Sequence, residues 1–322
     1  MTVLFQDKII YMPYMPPFAR SERIEDYAAS CKPVEWREER IRSLDGTKIS
    51  LCTGHIPRAN KHGIREGGQT AADMDGKRKH IVICYFQGNG SSTPPRLPLL
   101  SNTLKLLQAK LPDTAFAVIA LSYRSYWHSS GRASQRGIEK DAQAMLHWVQ
   151  RNLFRSDNGS QLVLWGQSIG AGVASTAAAT YLTQSSDNAR PPIAGLVLET
   201  PFTSVASMLV ALYPQKWLPY RYLSPFLWNH WDSKAALRTI AGSGEVPRVL
   251  LLPATRDEVV PAEEADKLVR LCEELRVGCE RKDVVGALHH EATTRRDGQE
   301  AVARFVAGLA RGRSKQDTEP SR

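Results

Sequence analysis

The chain has 322 residues, 42% of them hydrophobic, enough apolar material for one large buried core. Lys and Arg outnumber Asp and Glu by 42 to 33, a net charge of +9. The basic residues are scattered among Lys77-Arg78-Lys79, Arg295-Arg296 and the polar end of the chain, with no fingerprint of a nucleic-acid-binding fold, so they describe a basic surface and no nucleic-acid partner. The five cysteines, Cys31, Cys52, Cys84, Cys272 and Cys279, are odd in number and lack metal-site spacing, which reads as free thiols in a reducing, cytoplasmic setting without a bound metal.

Residues 1–33 form an apolar, proline-rich segment. Asp7 and Lys8 come early, and Pro13, Pro16 and Pro17 break the run, so it reads as neither a signal peptide nor a membrane span. Phe5, Ile9, Ile10, Tyr11, Met12, Tyr14 and Met15 suit either of two roles, covering a sheet edge or touching a membrane surface peripherally. A hairpin follows, from 34–43 and 47–56 around Asp45-Gly46, and then a polar stretch, 60–79, expected to be a surface loop.

From His80 the pattern changes. Apolar runs at 80–86, 115–123, 161–165, 193–199 and 248–252, with a last strand at 281–285, alternate with helical stretches at 96–110, 135–153, 169–183, 261–275 and 298–310. That rhythm builds a parallel sheet covered on both faces, within a domain expected over 34–311. The aromatic-rich segment at about 201–240 is expected to form a small helical cap, and residues 312–322 a disordered tail.

Gly166-Gln167-Ser168-Ile169-Gly170 follows one of the apolar runs and opens an alanine-rich helix. This is the context of a nucleophile elbow, where small neighbours allow a strained turn that exposes a serine hydroxyl. Ser168 is therefore the candidate nucleophile. A serine needs a base to take its proton and an acid to orient that base. Asp257, in the loop after the run 248–252, is the candidate acid, with Glu258 and Glu199 as substitutes. The base comes from His289-His290, and the residue pattern leaves both open. His128, in the loop after 115–123, is a further histidine to watch near the site. The glycine-rich turn Gln87-Gly88-Asn89-Gly90-Ser91-Ser92 suggests an oxyanion hole from the backbone N–H groups of Asn89 and Ile169.

Together these motifs resemble the α/β-hydrolase superfamily, and more narrowly its Bem-type abhydrolase-domain branch. The resemblance rests on Gln87 to Ser91, Tyr123-Arg124-Ser125-Tyr126-Trp127-His128-Ser129, Gly166 to Gly170, Trp231-Asp232-Ser233 and Ala287-Leu288-His289-His290-Glu291. It implies an α/β-hydrolase fold: a mostly parallel eight-stranded sheet with helices on both faces. It also sets His289, which falls on the family's His-Asn-Asp motif, as the base. Two departures stand out. Gln87 replaces a histidine that shapes the oxyanion loop, and Trp127-His128 replaces a small Gly-Lys pair, which suggests an altered pocket. The family's N-terminal membrane anchor is not expected in this chain.

The expected activity is hydrolysis of esters or thioesters of apolar acyl groups through an acyl-enzyme, with no organic cofactor. The rival readings are an acyltransferase and a catalytically silent scaffold that binds a partner.

Overall fold

A computed structural model describes residues 6–57, 80–154, 159–184, 190–212 and 226–316. The surface loop expected at 60–79 lies outside them, as do 213–225 of the aromatic-rich segment. The hairpin forms as read: β1 (Glu35–Arg42) runs antiparallel to β2 (Lys48–His55) in a register that pairs Ile41 with Ile49. Gly46 turns the chain at φ 83°, where a side chain would be strained. Arg124 holds this turn from behind, with its guanidinium 2.9 Å from Asp45 and 2.7 Å from the buried Asp141.

The remaining strands are β3 (His80–Phe86), β4 (Ala115–Ser122), β5 (Gln161–Gln167), β6 (Ile193–Glu199), β7 (Arg248–Leu252) and β8 (Cys279–Arg281). The order in the sheet is β1-β2-β4-β3-β5-β6-β7-β8. β2 meets β4 antiparallel, and every later pairing is parallel, as long helical crossovers require. The strand expected at 281–285 is displaced. β8 ends at Arg281, and pairing continues through Lys282 and Val284 N–H groups to the carbonyls of Leu251 and Pro253, as far as a single bridge between Ala254 and Val284. Pro253 has no N–H to give back, so the ladder cannot be completed there.

Alternation along β3 divides the core in two. Val82, Cys84 and Phe86 face the layer of α4 (Gln135–Leu153), α5 (Ile169–Thr183), α7 (Ser233–Ala241) and α8 (Ala262–Glu274), while Ile81, Ile83 and Tyr85 face that of α3 (Leu97–Lys110) and α9 (Arg296–Gln316). α4 starts where its cap says it should: the Ser134 side chain accepts the Gly137 N–H at 3.3 Å. Its stripe of Ile138, Ala142, Met145, Leu146, Val149 and Leu153 is buried. The N-terminal segment adds two short helices, α1 (Gln6–Ile10) and α2 (Ala28–Cys31).

Within the 201–240 segment the described parts hold α6 (Val205–Leu212) and α7. α7 lies on the sheet layer with Leu237 and Ile240 buried, and Trp231 just ahead of it presses on Gly172 of α5. α9 runs past its expected end, so residues 312–316 continue a helix where a tail was expected; 317–322 lie outside the described residues. No helix among the described residues is long and apolar enough to cross a membrane. All five cysteines are free, and burial pushes the Cys84 thiol up to about 12.

Candidate active site

Strand β5 ends at Gln167 and helix α5 begins at Ile169, so the turn between them is the single residue Ser168. Its backbone lies at φ 54°, ψ −120°, a conformation an L-residue keeps only when its surroundings enforce it. The surroundings are close. A Cβ on Gly166 would collide with the Gly170 carbonyl, and one on Gly170 with the carbonyls of Phe86 and Gln87. The Ser168 N–H donates to the Glu199 carbonyl at 2.8 Å, which pins the turn to the end of β6.

The structure brings Ser168, His289 and Asp257 together. His289 Nε2 is 2.8 Å from Ser168 Oγ, and its Nδ1 is 2.8 and 2.9 Å from the two Asp257 oxygens. Ser168 and His289 are buried, and the Asp257 side chain is nearly so. The two loops that carry Asp257 and His289 are laced by backbone bonds, Thr255 N–H to the Val284 carbonyl at 3.1 Å and Arg256 N–H to the Ala287 carbonyl at 2.9 Å. Burial pushes the Asp257 carboxyl up. Hydrogen bonds from His289 and from the Val260 and Val259 amides outweigh it and hold the carboxyl below the usual carboxylate range. Asp257 is thus an anion at neutral pH, suited to keep the proton of His289 on Nδ1 and leave Nε2 facing the serine.

The other residues considered for these roles lie elsewhere. Glu258 reaches only the backbone of His289, accepting its N–H at 2.9 Å. The Glu199 carboxylate is engaged by Trp165, Gln167 and Thr293. His290 is exposed and stacks edge-on against His289, with ring centroids 4.9 Å apart. Partial desolvation of its ring, with the charges of His289 and Arg96, pushes its pKa down. His128 faces the hairpin, 3.1 Å from Glu38. Trp127 also stays out of the site: it is buried and donates its indole N–H to the Glu22 carbonyl at 2.8 Å.

The turn after β3 passes beside Ser168, since a Cβ built on Gly88 would stand 3.6 Å from that of the serine. Next to it, the Asn89 N–H makes no hydrogen bond among the described residues. Ile169 occupies the first position of α5, where a helix leaves its N–H groups without intrahelical acceptors. Gln87 stabilises the turn in its own way, accepting the Thr93 hydroxyl at 2.9 Å while its carbonyl takes the Tyr123 hydroxyl at 2.8 Å.

One contributor is absent from every sequence motif. The N-terminal segment crosses this turn as a strap: the Met12 N–H donates to Asn89 Oδ1 at 3.0 Å, and the Met15 carbonyl accepts the Ser91 N–H. The same Asn89 oxygen takes the Gly90 N–H at 2.8 Å and the Tyr126 hydroxyl at 2.9 Å. Tyr11 ties the strap down on its far side, donating to Asn229 at 2.8 Å and accepting the Trp231 indole N–H at 2.9 Å. Tyr11 is the one element of the strap that a buried-aromatic pattern would flag; the bonds that Met12 and Met15 make to the turn use their own backbone atoms and leave no trace in the residue type of the strap.

No family model matches the chain. Among solved structures it is similar to an α/β hydrolase from Vibrio vulnificus, with TM-score 0.62, 18% identity, and coverage of 94% of this chain and 93% of that one. It is also similar to the Pyrococcus furiosus esterase Pf2001, with TM-score 0.56, 17% identity, and coverage of 89% and 93%. Among curated proteins, an uncharacterized protein of Mycobacterium tuberculosis is 31% identical over 253 residues, 77% of each chain. Protein bem46 of Schizosaccharomyces pombe is 30% identical over 191 residues, 59% of this chain and 56% of that one. Lysophosphatidylserine lipase ABHD12 of Danio rerio is 30% identical over 197 residues, 60% of this chain, and the match spans only 47% of the zebrafish protein. Sheet order, elbow and strand-end loops define an α/β-hydrolase fold. Within that superfamily the chain belongs to the Bem-type branch of abhydrolase-domain proteins.

Proposed function

We propose that the protein is a serine hydrolase that cleaves carboxylic esters or thioesters of apolar acyl groups through a covalent acyl-enzyme. The observation that carries this reading is the unbroken chain of hydrogen bonds from Ser168 Oγ through His289 to Asp257. Ser168 Oγ attacks the acyl carbon as its proton passes to His289 Nε2, and the carbonyl electrons move onto oxygen. The N–H groups of Asn89 and Ile169 receive the negative charge that develops there. Collapse of this intermediate expels the alcohol or thiol, which takes the proton from Nε2. A water activated by the same nitrogen then releases the acid and restores the serine. A silent scaffold has no use for a strained serine joined to a buried imidazole and carboxylate. The strain and the desolvation both cost stability.

Apolar specificity draws on the composition of 202–231, dense in Phe, Trp, Tyr and Leu with few charges, and agrees with the lipase name of the zebrafish relative. The test is reaction with a fluorophosphonate probe and a series of p-nitrophenyl esters. Each added acyl methylene should contribute about 0.8 kcal/mol, close to a fourfold gain in kcat/KM, until the pocket is filled. A steady fall from acetyl upward would point to a shallow polar pocket and overturn the specificity.

A further inference from the structure

Glu199 closes β6 and is fully buried. Its Oε1 accepts the Thr293 N–H at 3.1 Å, the Thr293 hydroxyl at 2.7 Å and the Gln167 side-chain amide at 3.3 Å, while Oε2 accepts the Trp165 indole N–H at 3.0 Å. Trp165 and Gln167 belong to β5, the strand that ends in the nucleophile. Thr293 stands four positions after His289, in the turns that lead into α9. The main-chain carbonyl of Glu199 holds the Ser168 N–H. One side chain and its carbonyl therefore bind the strand before the serine, the serine itself and the loop of the base.

A carboxylate is an expensive choice for mere filling. Burial pushes its pKa up, and the bonds from Thr293 and Trp165, with the charge of Arg96, recover only part of that. What it supplies is two oxygens that only accept, met here by four donors from two separate elements, three on Oε1 and one on Oε2.

We infer that Glu199 is a positioning residue that sets the separation of Ser168 and His289 by fastening Thr293 of the base loop to β5. This rests on the hydrolase reading above. Glu199→Gln keeps the size and turns one acceptor oxygen into a donor that faces other donors. Per active site titrated with fluorophosphonate, kcat should fall about ten- to a hundredfold, because a displacement near 1 Å costs that much. KM should stay within about twofold, since substrate binding is untouched. Thr293→Val should lose kcat in the same sense but less, and Thr293→Ser should restore it.

A second readout needs no turnover: the downfield NMR proton between His289 and Asp257, expected to shift or vanish in Glu199→Gln. An unchanged kcat with a lowered melting temperature would make Glu199 a stabilising residue only and overturn the inference. If the wild type hydrolyses no ester, the hydrolase reading falls alone, and the NMR proton decides: unmoved in the variant, positioning falls too; moved, it stands. Should Glu199→Gln not fold, Thr293→Val carries both measurements.

Discussion

Ser168→Ala is expected to abolish ester hydrolysis and fluorophosphonate labelling together while the protein stays folded. The change deletes one hydroxyl whose partner is His289, and it leaves the glycines that allow the turn. Alanine at φ 54° is no more strained than serine, so the melting temperature should move little. The kinetic loss is of another size, on the order of a millionfold in kcat, because the remaining groups have no nucleophile to act upon. Activity within tenfold of wild type would refute Ser168 as the nucleophile and redirect attention to a water-based mechanism. Circular dichroism on the same sample separates a dead enzyme from an unfolded one.

The second large effect concerns the paired histidines. His289→Ala should lower kcat by about three to four orders of magnitude, since it removes the group that bonds both Ser168 and Asp257. His290→Ala removes only the ring that packs edge-on against His289, and a loss of about tenfold is expected from a looser base loop. Both variants should be assayed at one pH against the same ester. A larger loss for His290→Ala would reverse the assignment and place His290 over the serine during turnover.

Much of this architecture could be read from residue order. β3 spans 80–86 as expected, because all seven of its residues are buried and a strand covered on both faces must be apolar throughout. α4 matches at both ends because Ser134 caps it and a single stripe faces the sheet. β8 was misplaced for the opposite reason: Cys279-Glu280-Arg281 is a short, largely polar edge, and its apolar neighbours Val284 and Val285 drew the expected strand downstream. The elbow left a signature because close approach of backbone to backbone tolerates only glycine at Gly166 and Gly170. Asp257 could be placed by chain order. The choice of His289 over His290 needed the family motif, since two adjacent imidazoles differ only in where the loop points them. Glu199 looked like a spare acid because its real partners, Trp165, Gln167 and Thr293, are donors that become neighbours only in three dimensions.

The strap bears on the order in which the molecule assembles. Tyr11 finds Asn229 across 218 positions of chain, and Met12 finds Asn89 across 77. Contacts so distant along the chain carry a large loop-closure cost and are made late unless the intervening chain is already ordered. The central strands and their crossover helices can form from nearer neighbours before residues 11–15 have anything to bind. Refolding should therefore have two clocks: helix and sheet signal returning first by circular dichroism, and reactivity of Ser168 toward the probe lagging behind it. Simultaneous recovery would show that strap and sheet condense in one step. With a lag, the earliest compact form of this protein is a completed scaffold whose glycine-rich turn at Asn89 is still unbraced, and residues 11–15 are among the last to take their place.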